Sequence, residues 1–302
     1  MHFLGIDWGG TYIKAGIIDE KNKLLEDIVL SSNEFKRKEV FIEKIENIVK
    51  NFNRYNIKAI GIGAPGIIDI KEGFIYYLPN IPGWKNYPLS KVLRKKLNLE
   101  VFIDNDANVF ALAESRVGIA KEKHTAIFLT LGTGLGGAVL LGGNILRSKT
   151  SASELGHIPI DINGKKCSCG GSGCIETFVG AKYILEEYNR LKNCKAKEVK
   201  EIYKAALKND KIALKIWENF ATALGKFLAG LVNVFNPQMI VLGGGVSGAF
   251  GIFKPKLLEV IKKQAMWPHT KNLKIVKAKL KKAGIIGAGI LAKEGLKNEV
   301  IH

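Results

Sequence analysis

Two stretches of the chain share one plan. FLGIDWGGTYIKAGIID (residues 3–19) and AIFLTLGTGLGGAVLLGG (residues 126–143) each pass from an apolar strand through a Gly/Thr turn into a second apolar run, the pattern of a glycine-rich hairpin. Later in each half another apolar run breaks into small residues, AIGIGAPGIID (residues 59–69) and MIVLGGGVSGAF (residues 239–250). A plan used twice predicts two related lobes, and 302 residues are enough for both.

Amphipathic helices lie between the apolar runs. In VFIEKIENIVKNF the residues Phe41, Ile42, Ile45, Ile48, Val49 and Phe52 keep the helical period. The longest helix is expected to begin at DKIALKIW and to stop at Asn236 and Pro237. Strands alternating with helices define the expected fold class as α/β with two lobes. The repeat places the boundary near residue 107: an N-terminal lobe of residues 1–107, completed by about residues 285–302, and a C-terminal lobe of residues 108–284.

The net charge of +18 raises the question of a polyanionic partner. The lysines, however, are scattered along polar helix faces such as KAKEVKEIYKAALKND without interleaved aromatics. That arrangement fits a charged, heat-adapted surface better than a nucleic-acid interface, so no nucleic-acid partner is expected. MHFLGIDWGG has no basic leader, and ATALGKFLAGLVNVF, interrupted by Lys226 and Asn233, is too short to span a bilayer. The expectation is a cytoplasmic protein with no membrane partner.

Chemistry concentrates in three places. The turn GIDWGGT offers glycine amides, a carboxylate and a hydroxyl; it reads as a plain tight hairpin or as a phosphate cradle in which Asp7 orients hydrated magnesium and Thr11 donates to a phosphate. GTGLGG (residues 132–137) matches the dinucleotide pattern, but the AVLLGGNIL run after it suits a returning strand rather than a helix, which disfavours a dehydrogenase. In VFIDNDANVFALAESRVG a buried strand passes into a helix near Ala107. Asp106 there is either a helix cap or a base that takes a proton from an attacking hydroxyl. Finally, Cys167, Cys169 and Cys174 fall within eight positions, ten residues after His157. In a reducing compartment such a trio is a metal cage, a redox pair or a group of free thiols.

With GIDWGGT, GAPG, PNIPGW, DNDAN, GTGLGG, ELGH and CSCGGSGCIE in this order, the chain resembles the ROK family of glucokinases and related sugar kinases over nearly its whole length. The resemblance implies an actin-like fold of two lobes with ATP and a sugar bound in the cleft, and a homodimer. It places the catalytic base on Asp106 and the sugar contacts on Asn80, Asn105, Glu154, His157 and Glu176, with Gly66 lining the same pocket. ATP and magnesium would be held by Asp7, Gly9, Gly10 and Thr11 and by Thr133 and Gly134, with Gly243, Gly244 and Gly245 beside the adenosine. Many relatives carry a basic residue directly after GGT; here Tyr12 stands there and Lys14 is the nearest cation.

The resemblance also implies a zinc ion on His157, Cys167, Cys169 and Cys174 within the loop 157–176. Three thiolates and one imidazole make a closed structural site. The implied activity is ATP-dependent phosphorylation of the 6-hydroxyl of a hexose, glucose first, with another sugar as the alternative. Regulators in the family carry a helix-turn-helix ahead of the phosphate lobe, whereas GIDWGGT begins here at residue 5. A non-catalytic sugar sensor is therefore the weaker expectation.

Overall fold

The computed structural model describes residues 1–35, 37–79, 81, 83–150 and 153–301. Two compact units emerge: Met1–Glu122 with Ile145–Ser153 and Lys279–His302, and Lys123–Asn144 with Glu154–Ala278. The first unit therefore runs on past the expected boundary at residue 107. It keeps the helix that begins at Asp106 and also claims a short segment from the middle of the chain.

The first unit contains β1 (His2–Trp8), β2 (Tyr12–Asp19), β3 (Leu24–Ser31), α1 (Lys38–Asn51), β4 (Ile57–Ala64), β5 (Ile67–Asp69), β6 (Phe74–Tyr77), β7 (Lys85–Tyr87), α2 (Leu89–Leu97), β8 (Glu100–Asn105) and α3 (Asp106–Arg116). Its main sheet has the order β3-β2-β1-β4-β8, and β5-β6-β7 form a small second sheet. β1 pairs antiparallel with β2 and parallel with β4, so its carboxyl end opens directly into the first glycine turn. Leu4, Ile6, Ile60, Ile62 and Ile103 are fully buried, as expected of strands covered on both faces. The C-terminal helix Ala283–Ile301 packs on β1 and β4. Glycine makes that contact possible: a Cβ on Gly5 would lie 2.0 Å from the Ile285 carbonyl oxygen, and one on Gly61 would lie 1.8 Å from that of Ala288. α3 stays with this unit because the same helix runs against it, Gly287 facing the Val109 carbonyl.

The second unit contains β9 (Ala126–Leu131), β10 (Leu135–Leu141), β11 (Asn144–Ile145, which reaches the unit boundary), α4 (Glu176–Val179), α5 (Ala181–Lys192), α6 (Val199–Leu207), α7 (Lys211–Phe235), β12 (Met239–Gly243), α8 (Phe250–Gln264), α9 (Trp267–Thr270) and β13 (Lys274–Lys277); the C-terminal helix is α10. Its sheet order is β11-β10-β9-β12-β13. GTGLGG turns β9 back into the antiparallel strand β10, which removes the helix a dinucleotide fingerprint requires. α7 buries Ile216, Trp217, Phe220, Leu224 and Leu228 along one face. Asp210 caps its start, accepting from the Ala213 N–H at 2.8 Å, and Asn236 ends it in the left-handed conformation before Pro237. Among the described residues no helix is long and apolar enough to cross a membrane.

Candidate active site

In the first unit β8 leads into three consecutive polar residues with different tasks. Asn105, extended at the N-cap of α3, accepts from the Ala107 N–H through Oδ1 at 2.9 Å and donates through Nδ2 to the Gly66 carbonyl at 3.3 Å. Gly66 itself sits at φ +113°, with the Tyr77 carbonyl 2.4 Å from where a Cβ would stand, so no side chain fits there. Asp104 is fully buried. Its Oδ1 accepts from the Asn105 N–H at 2.7 Å and from Asn108 Nδ2 at 2.8 Å, and its Oδ2 accepts from Arg147 Nε at 2.8 Å.

Asp106 opens α3, and its Oδ1 accepts from the Ala107 N–H at 2.8 Å. Burial, followed by the charge of Asp7, pushes its carboxyl up from 3.8 to about 6, against the pull of the Ala107 amide. A carboxylate so raised is a better proton acceptor at neutral pH than an ordinary aspartate.

Asp7 leaves β1 just before the glycine turn, in register with Lys14 on β2, whose Nζ lies 3.8 Å from Asp7 Oδ2. Burial raises the Asp7 carboxyl, with the Lys14 ammonium opposing. The turn is closed by the Gly9 N–H donating to the Tyr12 carbonyl at 3.0 Å, and Gly10 and Thr11 stand exposed. A half-buried carboxylate beside an open loop of glycine amides suits a hydrated magnesium ion, which needs few protein oxygens. The expected sugar contact Asn80 lies outside the described residues.

In the second unit Thr133 is exposed at the tip of the β9–β10 turn, and the Gly132 N–H donates to the Gly134 carbonyl at 3.0 Å. Gly243 is buried at the end of β12, while Gly244, at φ +79°, and Gly245 are exposed. Glu154 is exposed, immediately before the short helical turn Leu155–His157. That turn lies on β10, with Gly156 against the Leu135 carbonyl. Glu176, at the start of α4, accepts from the Leu135 N–H through Oε2 at 3.0 Å.

His157, Cys167, Cys169 and Cys174 come together with their donor atoms all within 4.8 Å of one another. The pairs Cys167 Sγ to His157 Nδ1 and Cys169 Sγ to Cys174 Sγ measure 3.5 and 3.7 Å. Zinc bonds of about 2.3 Å to sulfur and about 2.0 Å to nitrogen give tetrahedron edges of about 3.5–3.8 Å, so these two edges are compatible with a zinc ion on the four side chains. A disulfide needs about 2.05 Å. Burial and the neighbouring Cys167 and Cys169 push the Cys174 thiol up to about 12; only a bound cation would let three thiolates share so small a space. Backbone bonds hold the frame, Ile160 N–H to the Gly173 carbonyl at 2.8 Å and Ile175 N–H to the Ile158 carbonyl at 2.9 Å.

Three supporting residues escape sequence reasoning. Ser32 donates to the Gly9 carbonyl at 2.6 Å, Gly284 lies where a Cβ would stand 2.4 Å from the Asp7 carboxyl carbon, and Arg147 reaches Asp104 across 43 positions. Only Gly284 carries a signal, as one of several glycines in the apolar first half of the last helix.

The model of the ROK family matches residues 3–295, and the chain belongs to that family. The glucokinase of Thermotoga maritima is 32% identical over 97% of this chain and 98% of its own length. The xylose repressor of Caldicellulosiruptor bescii is 30% identical over 94% of this chain and 75% of its own. The structure of a ROK family glucokinase from Streptomyces griseus in complex with glucose and AMPPNP is similar with a TM-score of 0.84 and 29% identity, covering 98% of this chain and 100% of that one.

Proposed function

We propose that this ATP-dependent sugar kinase transfers the γ-phosphoryl group of ATP to the 6-hydroxyl of a hexose, glucose before others. The observation that carries the reading is Asp106, a carboxylate held at the passage from a parallel strand into α3, where burial and the charge of Asp7 push its carboxyl up to about 6. Phosphoryl transfer asks little more of a protein than such a base, correct alignment and charge stabilisation. Asp106 would accept the proton of the sugar hydroxyl as its oxygen attacks. Asn105 would bind a ring hydroxyl beside it, and Glu154 and Glu176 would accept hydrogen bonds from others. Asn80 and Gly66 complete the proposed sugar contacts.

His157 divides its ring between two tasks. With Nδ1 turned toward the thiols, zinc ligation there would leave Nε2 carrying the proton and able to donate to a sugar oxygen. Zinc when bound braces the loop and takes no part in transfer. Asp7 would hold hydrated magnesium, which neutralises phosphate charge. Gly9, Gly10, Thr11, Thr133 and Gly134 would donate to phosphate oxygens, Lys14 would supply a nearby positive charge, and Gly243 to Gly245 would leave room for the adenosine. A place in the cytoplasm and assembly as a homodimer belong to the same reading.

The likeness to a xylose repressor supports a second reading, a sugar-binding regulator. A coupled assay of ADP formation with glucose, mannose, allose, fructose and N-acetylmannosamine separates the two. ADP should form in proportion to added sugar, fastest with glucose; sugar binding without ADP formation refutes the kinase reading.

A further inference from the structure

We propose that Glu176 is a positioning residue for the phosphate loop of residues 132–135, so that the metal knuckle sets nucleotide affinity even when no sugar is present. The inference rests on the kinase reading, which assigns Thr133 and Gly134 to phosphate, and it gives Glu176 a task beyond the sugar contact.

The contacts all lie within the second unit. Glu176 comes two positions after the ligand Cys174 and opens α4. Its Oε2 accepts from the Leu135 N–H at 3.0 Å, at the exit of the loop. Its Oε1 faces back to the knuckle, 3.4 Å from Ser168 Oγ and 4.0 Å from Cys167 Sγ. The carboxylate thus joins the metal-bearing segment to the loop through one atom each way. Gly134 is the residue that permits this, since a Cβ there would stand 2.1 Å from Glu176 Oε2.

A second tie holds the other end of the loop. The Ala181 N–H donates to the Gly132 carbonyl at 3.0 Å, and Gly180 lies so close that its Cβ would stand 3.0 Å from the Thr133 carbonyl. Both ends of a glycine turn are therefore fastened to one short segment, residues 176–181, and that segment begins where Cys174 is placed for ligation. A free glycine loop loses much conformational entropy when it orders around a phosphate. Fastened beforehand, it binds with that cost already met by folding.

The test is nucleotide binding without sugar, read by titration calorimetry with magnesium ADP and magnesium AMPPNP, zinc content being measured on every sample. Glu176→Ala should retain zinc and weaken nucleotide binding about tenfold, the loss of one hydrogen bond to a charged acceptor. Glu176→Gln keeps an acceptor for the Leu135 amide and should restore affinity to within about twofold of the parent. Chelation of zinc from the unmodified protein should weaken nucleotide binding as much as the alanine variant does. A group that only touches sugar would leave all three values unchanged, and that result overturns the inference. Failure of the parent protein to bind either nucleotide would instead overturn the kinase reading on which it rests.

Discussion

Replacing Asp106 by Asn changes a rate and a stability in opposite directions. Asn is isosteric and can still accept from the Ala107 N–H that Asp106 Oδ1 now engages at 2.8 Å, so α3 keeps its start and Asn105 its cap. Turnover should fall by about 10²- to 10⁴-fold, the ordinary worth of a general base, while sugar binding stays largely intact. Stability should rise. Burial and the charge of Asp7 push the folded carboxyl up from an ordinary 3.8 to about 6, so the proton is held more tightly in the folded state. Below the ordinary value both states are protonated and nothing is lost. As pH climbs through the interval from 3.8 to about 6, ionisation favours the unfolded chain, and above it the penalty is about 3 kcal/mol at most. Removing the charge should therefore stabilise the protein by about 1–3 kcal/mol at pH 8, the gain shrinking to about a third at pH 4.5. Urea unfolding at both pH values, with no nucleotide present, measures the gain, and coupled ADP assays measure the rate. A variant that turns over normally, or one whose stability relative to the parent does not change with pH, refutes the reasoning. For the parent, kcat/KM should decline about tenfold per pH unit below about 6.

Other perturbations separate scaffold from chemistry. Cys169→Ser should lose bound zinc, read by elemental analysis, together with about 10 °C of Tm, because a structural site of this kind contributes folding energy directly. Gly61→Ala brings a methyl to 1.8 Å from the Ala288 carbonyl and should cost about 3 kcal/mol in urea unfolding, since backbone cannot give way as a side chain does. Arg147→Ala strips the fully buried Asp104 of its cation and should cost about 2–4 kcal/mol; Arg147→Lys should recover part of that loss, and equal losses in the two variants would show that charge is not what matters.

Several parts of this site were legible in the chain because they are local. The repeated glycine hairpins fall on β1–β2 and β9–β10, since a turn's requirement for glycine amides is met within a few residues. DNDAN announces a strand-to-helix passage, and the structure separates its members: Asn105 caps, Asp106 opens the helix, and Asp104 turns inward. Local pattern shows that two acids and an amide do not share one cap. It does not show which of them is buried, because the deciding partner, Arg147, arrives from a segment 43 positions away. The first compact unit runs on to Glu122, past the boundary expected at residue 107, for the same kind of reason. Whether α3 belongs to the first unit depends on the fit of Gly287 against Val109, a contact that periodicity does not encode.

The order of strands and helices, the two glycine turns and the supply of one imidazole and three thiols were determined by the sequence itself, because each depends on neighbours a few residues apart. Tertiary structure alone decided that those four side chains bring their donor atoms within 4.8 Å, that Asp106 feels the charge of Asp7, and that Glu176 touches the loop 41 positions before it. Burial and charge act through space, and distance through space is set only once the chain has closed on itself.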